Sequence, residues 1–133
     1  MKKVEVFQDC QNILGEGVIW SESTNTLFWL DIAMPSKLLQ YSFNKDIYKI
    51  YNMPEMITAI AERSNNNILI ASHYGINNYN LIEEKFNQIL KLEPNNLQNR
   101  CNDGAADFQG NFWIGTMQNN IAADGGNIDI KQS

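Results

Sequence analysis

The sequence predicts an all-β protein built from repeated units of four short strands. Apolar residues alternate with polar ones or come in short runs, and both patterns are typical of strands. Segments rich in Asn, Asp, Ser and Gly separate these runs at short intervals and indicate tight turns. Hydrophobic residues make up 44% of the 133 residues, which is enough for one domain with a packed core.

Two successive units show the same order of strands and turns. The strands predicted for the first unit are Gly17–Trp20, Leu27–Ile32, Leu38–Phe43 and Ile47–Tyr51. Those predicted for the second are Ile57–Ile60, Ile68–Ala71, Gly75–Asn80 and Phe86–Leu92. The stretch Asn80–Leu92 fits an amphipathic helix weakly, and we favour a strand, a turn and a strand there.

A third, incomplete unit follows. It contains the predicted strands Gly104–Asp107 and Phe112–Thr116 and one possible strand at Ile128–Ile130. The three units begin 40 and then 47 residues apart, and propeller blades repeat at about 40–50 residues. A β-sandwich also has many short strands but does not require this repeat, so the spacing favours a β-propeller. Propellers have about 4–8 blades, so three units do not close a ring.

Charge and composition exclude several function classes. The net charge of −5 gives an acidic surface that repels phosphate backbones, so we expect no nucleic-acid partner. No apolar run is long enough to span a bilayer, and the charged start Met1–Glu5 does not fit a secretory signal. We therefore expect a cytoplasmic protein without a membrane partner. Cys10 and Cys101 lack CxxC spacing and are predicted to be free thiols.

Two ordered segments are more specific than a propeller requires. One reads L-G-E-G-V-I-W at 14–20, followed by L-F-W-L-D-I at 27–32; the other reads R-C-N-D-G-A-A-D at 100–107, followed by G-N-F-W-I-G-T-M at 110–117. Glu16 stands where the first inner strand begins, and Asn102 and Asp103 stand where the third begins. Inner strands line the channel of a propeller, so these side chains can converge at one mouth. Their oxygens suit Ca²⁺, Mg²⁺ or Mn²⁺.

These segments resemble the regucalcin (senescence marker protein)/gluconolactonase family, over only the N-terminal half of a family domain. The resemblance implies that residues 1–133 form part of a six-bladed β-propeller, with about three four-stranded blades, the third incomplete. It implies a metal-dependent sugar-lactone hydrolase in which Glu16 binds the metal and Arg100 and Asn102 bind the substrate. The implied cofactor is a divalent metal (Ca²⁺, Zn²⁺, Mg²⁺ or Mn²⁺), which this chain alone would hold weakly.

The resemblance also implies that the site is incomplete in this chain. The family takes its other metal ligands and its base from later blades, so no catalytic residue is assigned here. Some members carry a glutamate shortly after the G-T-M sequence, where this chain has Gln118–Asn120. In a complete site the metal polarises the lactone carbonyl and a carboxylate activates water. We expect this chain alone to be weakly active or inactive. The alternative is a non-catalytic fragment that acts as a cation-binding or protein-interaction module; an unrelated interaction propeller is disfavoured.

Other conspicuous side chains receive structural interpretations. Asp31 is expected to have a structural role at the end of a strand. Asp103 precedes a glycine, as is common in turns, so a structural role fits it at least as well as a functional one. The side chain of Asp107 is expected to bind turn amides near Gly110. Three tryptophans are expected in the core between blades, namely Trp20, Trp29 and Trp113. The lone histidine, His73, is not expected to be a ligand, and Glu55–Met56, where the second inner strand begins, receives no role.

An open partial ring leaves faces and edges without partners. The segment Lys3–Gln8 is predicted to be an outer strand whose partners would come from a blade outside this chain. The first and third units each present one apolar face without a neighbour, and such faces drive association. We therefore expect self-association or pairing with a separately encoded C-terminal half.

Overall fold

The computed structural model describes residues 2–64, 66–119 and 130–132. All regular elements in these residues are β-strands, which confirms the predicted all-β class. They are β1 (Gly15–Ser21), β2 (Thr26–Asp31), β3 (Lys37–Ser42), β4 (Ile47–Asn52), β5 (Ile57–Ser64), β6 (Asn67–Ser72), β7 (Gly75–Asn80), β8 (Lys85–Lys91), β9 (Asn99–Ala106), β10 (Phe112–Gln118) and β11 (Ile130–Gln132). Strand β8 confirms the strand interpretation of that stretch over the helical one. None of the described residues belongs to a helix that could cross a membrane.

The strands form three antiparallel sheets in which neighbours along the chain are neighbours in space. Sheet 1 has the order β1-β2-β3-β4 and sheet 2 the order β5-β6-β7-β8, as predicted for the first two units. Sheet 3 contains β9, β10 and β11 among the described residues. Of the possible strand at Ile128–Ile130, only the last residue is described, and it opens β11; residues 128 and 129 lie outside the described residues.

Turns of equal length set the register of the first two sheets. In the β1–β2, β3–β4 and β7–β8 connections, four residues separate the last paired positions. The last residue of each turn has a left-handed conformation; these are Asn25, Asp46 and Glu84, with φ values of 51°, 53° and 53°. The third turn also links the sheets, because the carboxylate of Glu84 accepts a hydrogen bond of 3.0 Å from Nζ of Lys49 in β4. Short turns of this kind force consecutive strands to pair antiparallel.

Sheets 1 and 2 pack face to face across the main hydrophobic layer. Its largest buried side chains are Phe28, Leu30, Leu38 and Tyr51 from sheet 1 and Ile57, Ile60, Ile68, Ile70 and Tyr79 from sheet 2. Burial of each such side chain contributes about 1.5–3 kcal/mol. A second, smaller layer between sheets 2 and 3 contains Ala59, Ala71 and Cys101. Its small side chains leave room for β5 and β9 to approach closely.

The face of sheet 1 that points away from sheet 2 carries an aromatic cluster. Phe7, Trp20, Tyr41 and Phe43 contact one another with ring centroids 4.8–5.6 Å apart. Residues 3–8, predicted to be an outer strand paired with a blade outside this chain, form no strand here, and their Val side chains are exposed. A strand needs a neighbouring edge for its amide groups, and the described residues provide none here. Phe7 instead stacks on Phe43, which directly follows β3.

The three tryptophans are predicted to lie in the core between blades, but none of them belongs to the layers that the sheets share. Trp29 is buried and stacks on Tyr48 with a centroid distance of 5.9 Å, but it lies on the opposite face of β2 from Phe28 and Leu30 and so points away from sheet 2. Trp20 and Trp113 are 46% and 63% exposed. Their neighbours Ile19 and Ile114 pack toward sheet 2, so the alternation of side chains along a strand turns both indoles the other way. No sheet of the described chain covers these faces.

The layer between sheets 1 and 2 gives a stability prediction. Leu30 is fully buried in it, so Leu30→Ala should lower the free energy of unfolding by about 2–5 kcal/mol. Urea denaturation followed by tryptophan fluorescence measures the loss. The matched control is Ile82→Ala in the β7–β8 turn, where the side chain is 73% exposed and the expected change is within about 0.5 kcal/mol. Equal losses in the two variants would show that the sheets do not share this layer.

Candidate site where the inner strands begin

The first strands of the three sheets lie side by side. β1 contacts β5, and β5 contacts β9. A groove of about 540 Å³ runs along these strands, and its walls include Glu16 of β1, Ile60 of β5 and Asp103 of β9. The structure therefore places Glu16, the predicted metal ligand, and Asp103 of the second motif on the walls of one cavity, although they are far apart in sequence. Sequence reasoning judged Asp103 at least as structural as functional, and only the packing of the strands shows that it shares a groove with Glu16.

Each inner strand carries an irregularity close to its start. The pairing register shifts between Glu16 and Ile19 in β1, between Ile57 and Ala59 in β5, and between Cys101 and Gly104 in β9. Such bulges bend a strand and redirect its side chains, and they are common beside functional sites. In β1 the bulge contains Gly17, whose φ of +62° is left-handed and favours glycine.

Buried Asp31 fixes the chain that leads into β1. Its two carboxylate oxygens accept hydrogen bonds from the backbone N–H of Ile13 (3.2 Å) and of Leu14 (2.8 Å). The N–H of Ile32 donates in turn to the carbonyl of Leu14 at 3.0 Å. Glu16 follows two residues later, so Asp31 positions the candidate ligand without facing the groove. This agrees with its predicted structural role.

The bulge in β9 holds Asp103 beside a glycine that the packing requires. Oδ1 of Asp103 accepts a hydrogen bond of 2.7 Å from the N–H of Gly104. A Cβ atom on Gly104 would lie 2.5 Å from the carbonyl oxygen of Trp113, so no larger residue fits there. The second carboxylate oxygen of Asp103 has no hydrogen bond to another described residue and is available to a ligand in the groove.

Arg100 lies in a different crevice from Glu16. Its neighbours there include His73, Glu93 and Thr116. Nη1 of Arg100 donates to the carbonyl of Cys101 at 2.9 Å, and partial burial lowers the pKa of the guanidinium from its usual value. Half-buried Asn102 lies between Arg100 and Asp103 along β9. The structure thus brings the two substrate-binding candidates to the same strand end as Glu16, but not into one common pocket.

Glu93 is a site residue that the sequence analysis missed. Its Oε1 accepts a hydrogen bond of 2.7 Å from Oγ1 of Thr116, and its Oε2 accepts one from Nδ2 of Asn99. Both partners belong to sheet 3, so this carboxylate anchors the start of β9, directly before Arg100. No motif marks Glu93, because its role depends on which strands meet around it.

The cysteines do not form a redox or nucleophilic pair in the described structure. Both are free thiols, as predicted. Burial, followed by the nearby carboxylates of Glu55 and Glu93, raises the pKa of Cys101 to about 11. Its thiol is therefore protonated at neutral pH and is not an activated nucleophile. Buried Oε2 of Glu55 has no hydrogen-bond partner among the described residues, and sequence reasoning assigned Glu55 no role.

The side chain of Asp107 binds the turn between β9 and β10, as predicted. It accepts hydrogen bonds from the N–H groups of Gln109 and Asn111, from Nδ2 of Asn111 and from the indole Nε1 of Trp113. The bonds from Trp113 and Asn111 hold the pKa of Asp107 low, at about 2. Its stabilising effect is present above the ordinary pKa of an aspartate and is lost as the pH falls through about 2. This carboxylate belongs to the turn and not to the groove.

The acidic residues of the groove do not form a metal site by themselves. Within the described ranges, no three or more His, Cys, Asp or Glu side chains come close enough together to hold a metal ion. Glu16 and Asp103 supply a few oxygens, whereas Ca²⁺ takes about 6–8. The residues present therefore do not fit a complete metal centre.

The fold defines a class: a β-propeller segment whose inner strands border a groove with Glu16 and Asp103 on its walls. The SMP-30/Gluconolactonase/LRE-like region family matches residues 14–130, and the chain belongs to this family.

Its relatives include an enzyme and two solved structures. An L-arabinolactonase of Azospirillum brasilense is 31% identical over 110 residues, which cover 80% of this chain and 35% of the relative. The solved regucalcin of Agrobacterium tumefaciens, a calcium-binding protein, has a TM-score of 0.74 and 26% identity, and the match covers 90% of this chain and 43% of that chain. A luciferin-regenerating enzyme has a TM-score of 0.77 and 22% identity over 92% of this chain and 46% of that chain. These likenesses confirm the predicted partial propeller.

The chain spans little more than a third of the length of the curated relatives that it matches. The shares are 35% for the L-arabinolactonase and 36% for the human regucalcin, which is 25% identical to this chain. The activities of these full-length relatives therefore depend on residues beyond the part that this chain matches.

The bulge at Gly17 gives a prediction about the geometry of the groove. In Gly17→Ala the alanine would have to keep the left-handed backbone conformation of Gly17, which costs about 1–2 kcal/mol. Its new Cβ atom would lie 3.3 Å from Cδ1 of Leu30. We expect a loss of stability together with changed backbone chemical shifts at Glu16 and Asp103. Urea denaturation and two-dimensional NMR measure the two effects.

Gly110→Ala is the matched control for this variant. Gly110 also has a left-handed φ, of +87°, but a Cβ there would meet no atom within 4 Å. It should show the conformational cost without a shift at Glu16. If Gly17→Ala leaves the resonances of Glu16 unchanged, the bulge does not set the position of that carboxylate.

Proposed function

We propose that this chain is the N-terminal portion of a metal-dependent sugar-lactone hydrolase and that it is weakly active or inactive alone. The observation that carries this proposal is the groove between the inner strands, which has Glu16 and Asp103 on its walls. Membership of the family supports the lactone-hydrolase assignment, as does the similarity to an L-arabinolactonase. The substrate class is a sugar lactone.

Three side chains carry the proposed roles. Glu16 contributes one carboxylate to a divalent metal site, for which Ca²⁺, Zn²⁺, Mg²⁺ and Mn²⁺ are the candidates. Arg100 donates hydrogen bonds to substrate oxygens through its planar guanidinium, which remains charged at neutral pH. The amide of Asn102 donates to a lactone carbonyl or accepts from a sugar hydroxyl.

The reaction itself requires groups that this chain does not assemble. In lactone hydrolysis, a water oxygen bonds to the carbonyl carbon, the ring C–O bond breaks, and the ring oxygen takes a proton to give the aldonic acid. A metal supplies charge stabilisation at the carbonyl oxygen when it is bound. We assign no catalytic base within this chain and derive no step through a metal, because the described residues do not form a metal centre.

Metal titration tests the role of Glu16 in the isolated chain. We expect weak Ca²⁺ binding, seen by NMR as shifts centred on Glu16 and Asp103, and the loss of these shifts in Glu16→Gln. Glu83→Gln is the control, because Glu83 is exposed in the turn at the opposite end of sheet 2. Calcium-dependent shifts that persist in Glu16→Gln would contradict the assignment.

Hydrolysis of gluconolactone tests the completeness of the site. With added metal, the isolated chain should hydrolyse the lactone little faster than the same buffer without protein, since a single assigned metal ligand leaves most of the coordination sphere unfilled. A pH-stat assay measures the rate. Robust turnover that disappears in Glu16→Gln would show that a complete site forms in another way, for example between chains.

A second candidate function, as an interaction module, is favoured by the aromatic face of sheet 1. Trp20, Phe43 and Phe7 are 46%, 43% and 56% exposed there, and Trp113 of sheet 3 is 63% exposed. Contiguous exposed apolar surface marks interaction sites. We propose that the chain pairs with itself or with a separately encoded C-terminal half, so that these faces become buried.

Light scattering at micromolar concentration, with and without Ca²⁺, tests this pairing. We expect a species larger than a monomer, and we expect Phe43→Asp to shift it toward the monomer because the change places a charge in the aromatic cluster. Ile82→Asp is the control at an exposed turn outside this face. A cooperatively folded monomer that binds no hydrophobic dye would overturn the proposal.

A further inference from the structure

A second cavity lies at the same strand end as the candidate site. It is a groove of about 450 Å³ between the β6–β7 turn, the end of β8 and the connection to β9. Because alternate strands of an antiparallel sheet run in the same direction, the turn before β7 lies at the end where β5 begins. The inner strands β5 and β9 begin together, and Asn99, which directly precedes Arg100 in β9, is on the wall of this groove.

The groove borders the crevice beside Arg100, which is itself too narrow to hold a ligand. The two cavities share four wall residues, His73, Leu92, Glu93 and Asn99. A molecule bound to the exposed part of half-buried Arg100, outside this crevice, would therefore lie next to the groove. The volume of the groove falls within the range of about 300–1,000 Å³ that is typical of ligand pockets.

The outer part of the groove presents an aromatic ring. Tyr74 is 56% exposed, and its ring lies against that of His73 with centroids 4.4 Å apart. A half-exposed tyrosine offers an apolar face together with a polar hydroxyl. This combination suits a ligand whose ring has C–H groups on one face and hydroxyls at its edge.

The polar side chains around the ring suit neutral hydroxyl groups. Gln88, Asn96 and Asn99 supply amides, which both donate and accept hydrogen bonds. The charged groups that face the groove nearly cancel, because Lys91 is cationic and Glu93 is anionic. The carboxylate of Glu93 is fixed by Thr116 and Asn99, so it serves as a rigid wall. This balance favours a neutral polyhydroxylated ring over a phosphate or a sulfonate.

We infer that this groove is a subsite for a second sugar ring, linked to the lactone ring that Arg100 and Asn102 would hold. The inference deepens the proposed function and rests on it, because it extends the sugar-lactone substrate to an aldonolactone of a disaccharide. Tyr74 stacks on the second ring, the amides bind its hydroxyls, and His73 supports the tyrosine ring.

Binding of two stable aldonates to the full chain tests the subsite. Gluconate probes the Arg100 position alone, and cellobionate adds one glucose ring. By calorimetry or NMR titration, we expect cellobionate to bind about three- to tenfold more tightly than gluconate, the scale of one aromatic contact. Resonances of Tyr74 and Asn96 should shift with cellobionate and not with gluconate.

Variants separate the subsite from the rest of the site. Tyr74→Ala should remove the advantage of cellobionate and leave gluconate binding unchanged, and its exposed position makes misfolding detectable as an independent change in thermal unfolding. Phe108→Ala is the control, since this aromatic side chain is 98% exposed in another turn. Arg100→Ala should weaken both ligands.

Each outcome has a distinct meaning. Equal binding of the two ligands, or tighter binding of cellobionate that persists in Tyr74→Ala, overturns the subsite. The proposed function is tested separately, by the metal titration at Glu16. Binding of neither ligand also overturns the subsite. Tighter binding of cellobionate that depends on Tyr74 supports it, even if Glu16→Gln shows that the calcium assignment is wrong.

Discussion

Each sheet of this protein depends on the hydrophobic layer that it shares with the next sheet. A twisted four-stranded sheet has two faces, and a single sheet cannot bury either of them without a partner. Side chains such as Leu30 and Ile70 meet between sheets 1 and 2, and burial of each contributes about 1.5–3 kcal/mol. The small residues Ala59 and Cys101 then allow β9 to approach β5. The packing of sheets thus aligns the strands that carry the candidate site.

This alignment explains why residues distant in sequence share one end of the molecule. Glu16, Arg100 and Asn102 lie at the starts of inner strands, and bulges in those strands redirect their side chains. Supporting groups hold the backbone in place: Asp31 binds the amides before β1, and Glu93 binds Thr116 and Asn99 around β9. The candidate site residues are therefore held in place by hydrogen-bonded partners, of which Glu93 lies outside the family motifs.

The same constraint accounts for the unusual surface. Where a sheet has a neighbour, its aromatic residues are buried, as Phe28 and Tyr79 are. Where the described chain offers no neighbour, Trp20 and Trp113 remain exposed, and Phe7 folds back onto Phe43. The faces without a neighbour in the described chain are also those that favour the proposed pairing. The polar groove beside Tyr74 is different in kind, because its amides and its balance of one cation and one anion suit a small neutral ligand better than a protein surface.

The sequence by itself determined the strand pattern, the spacing of the units and the family motifs, because these depend on alternation, turn residues and local order. It thereby predicted the all-β class and the positions of Glu16, Arg100 and Asn102. Tertiary structure decided which of these meet: Glu16 shares a groove with Asp103, while Arg100 faces His73 and Glu93. It also decided that the segment 3–8 forms no strand and that two tryptophans are exposed, because pairing and burial require a neighbour that local sequence cannot specify.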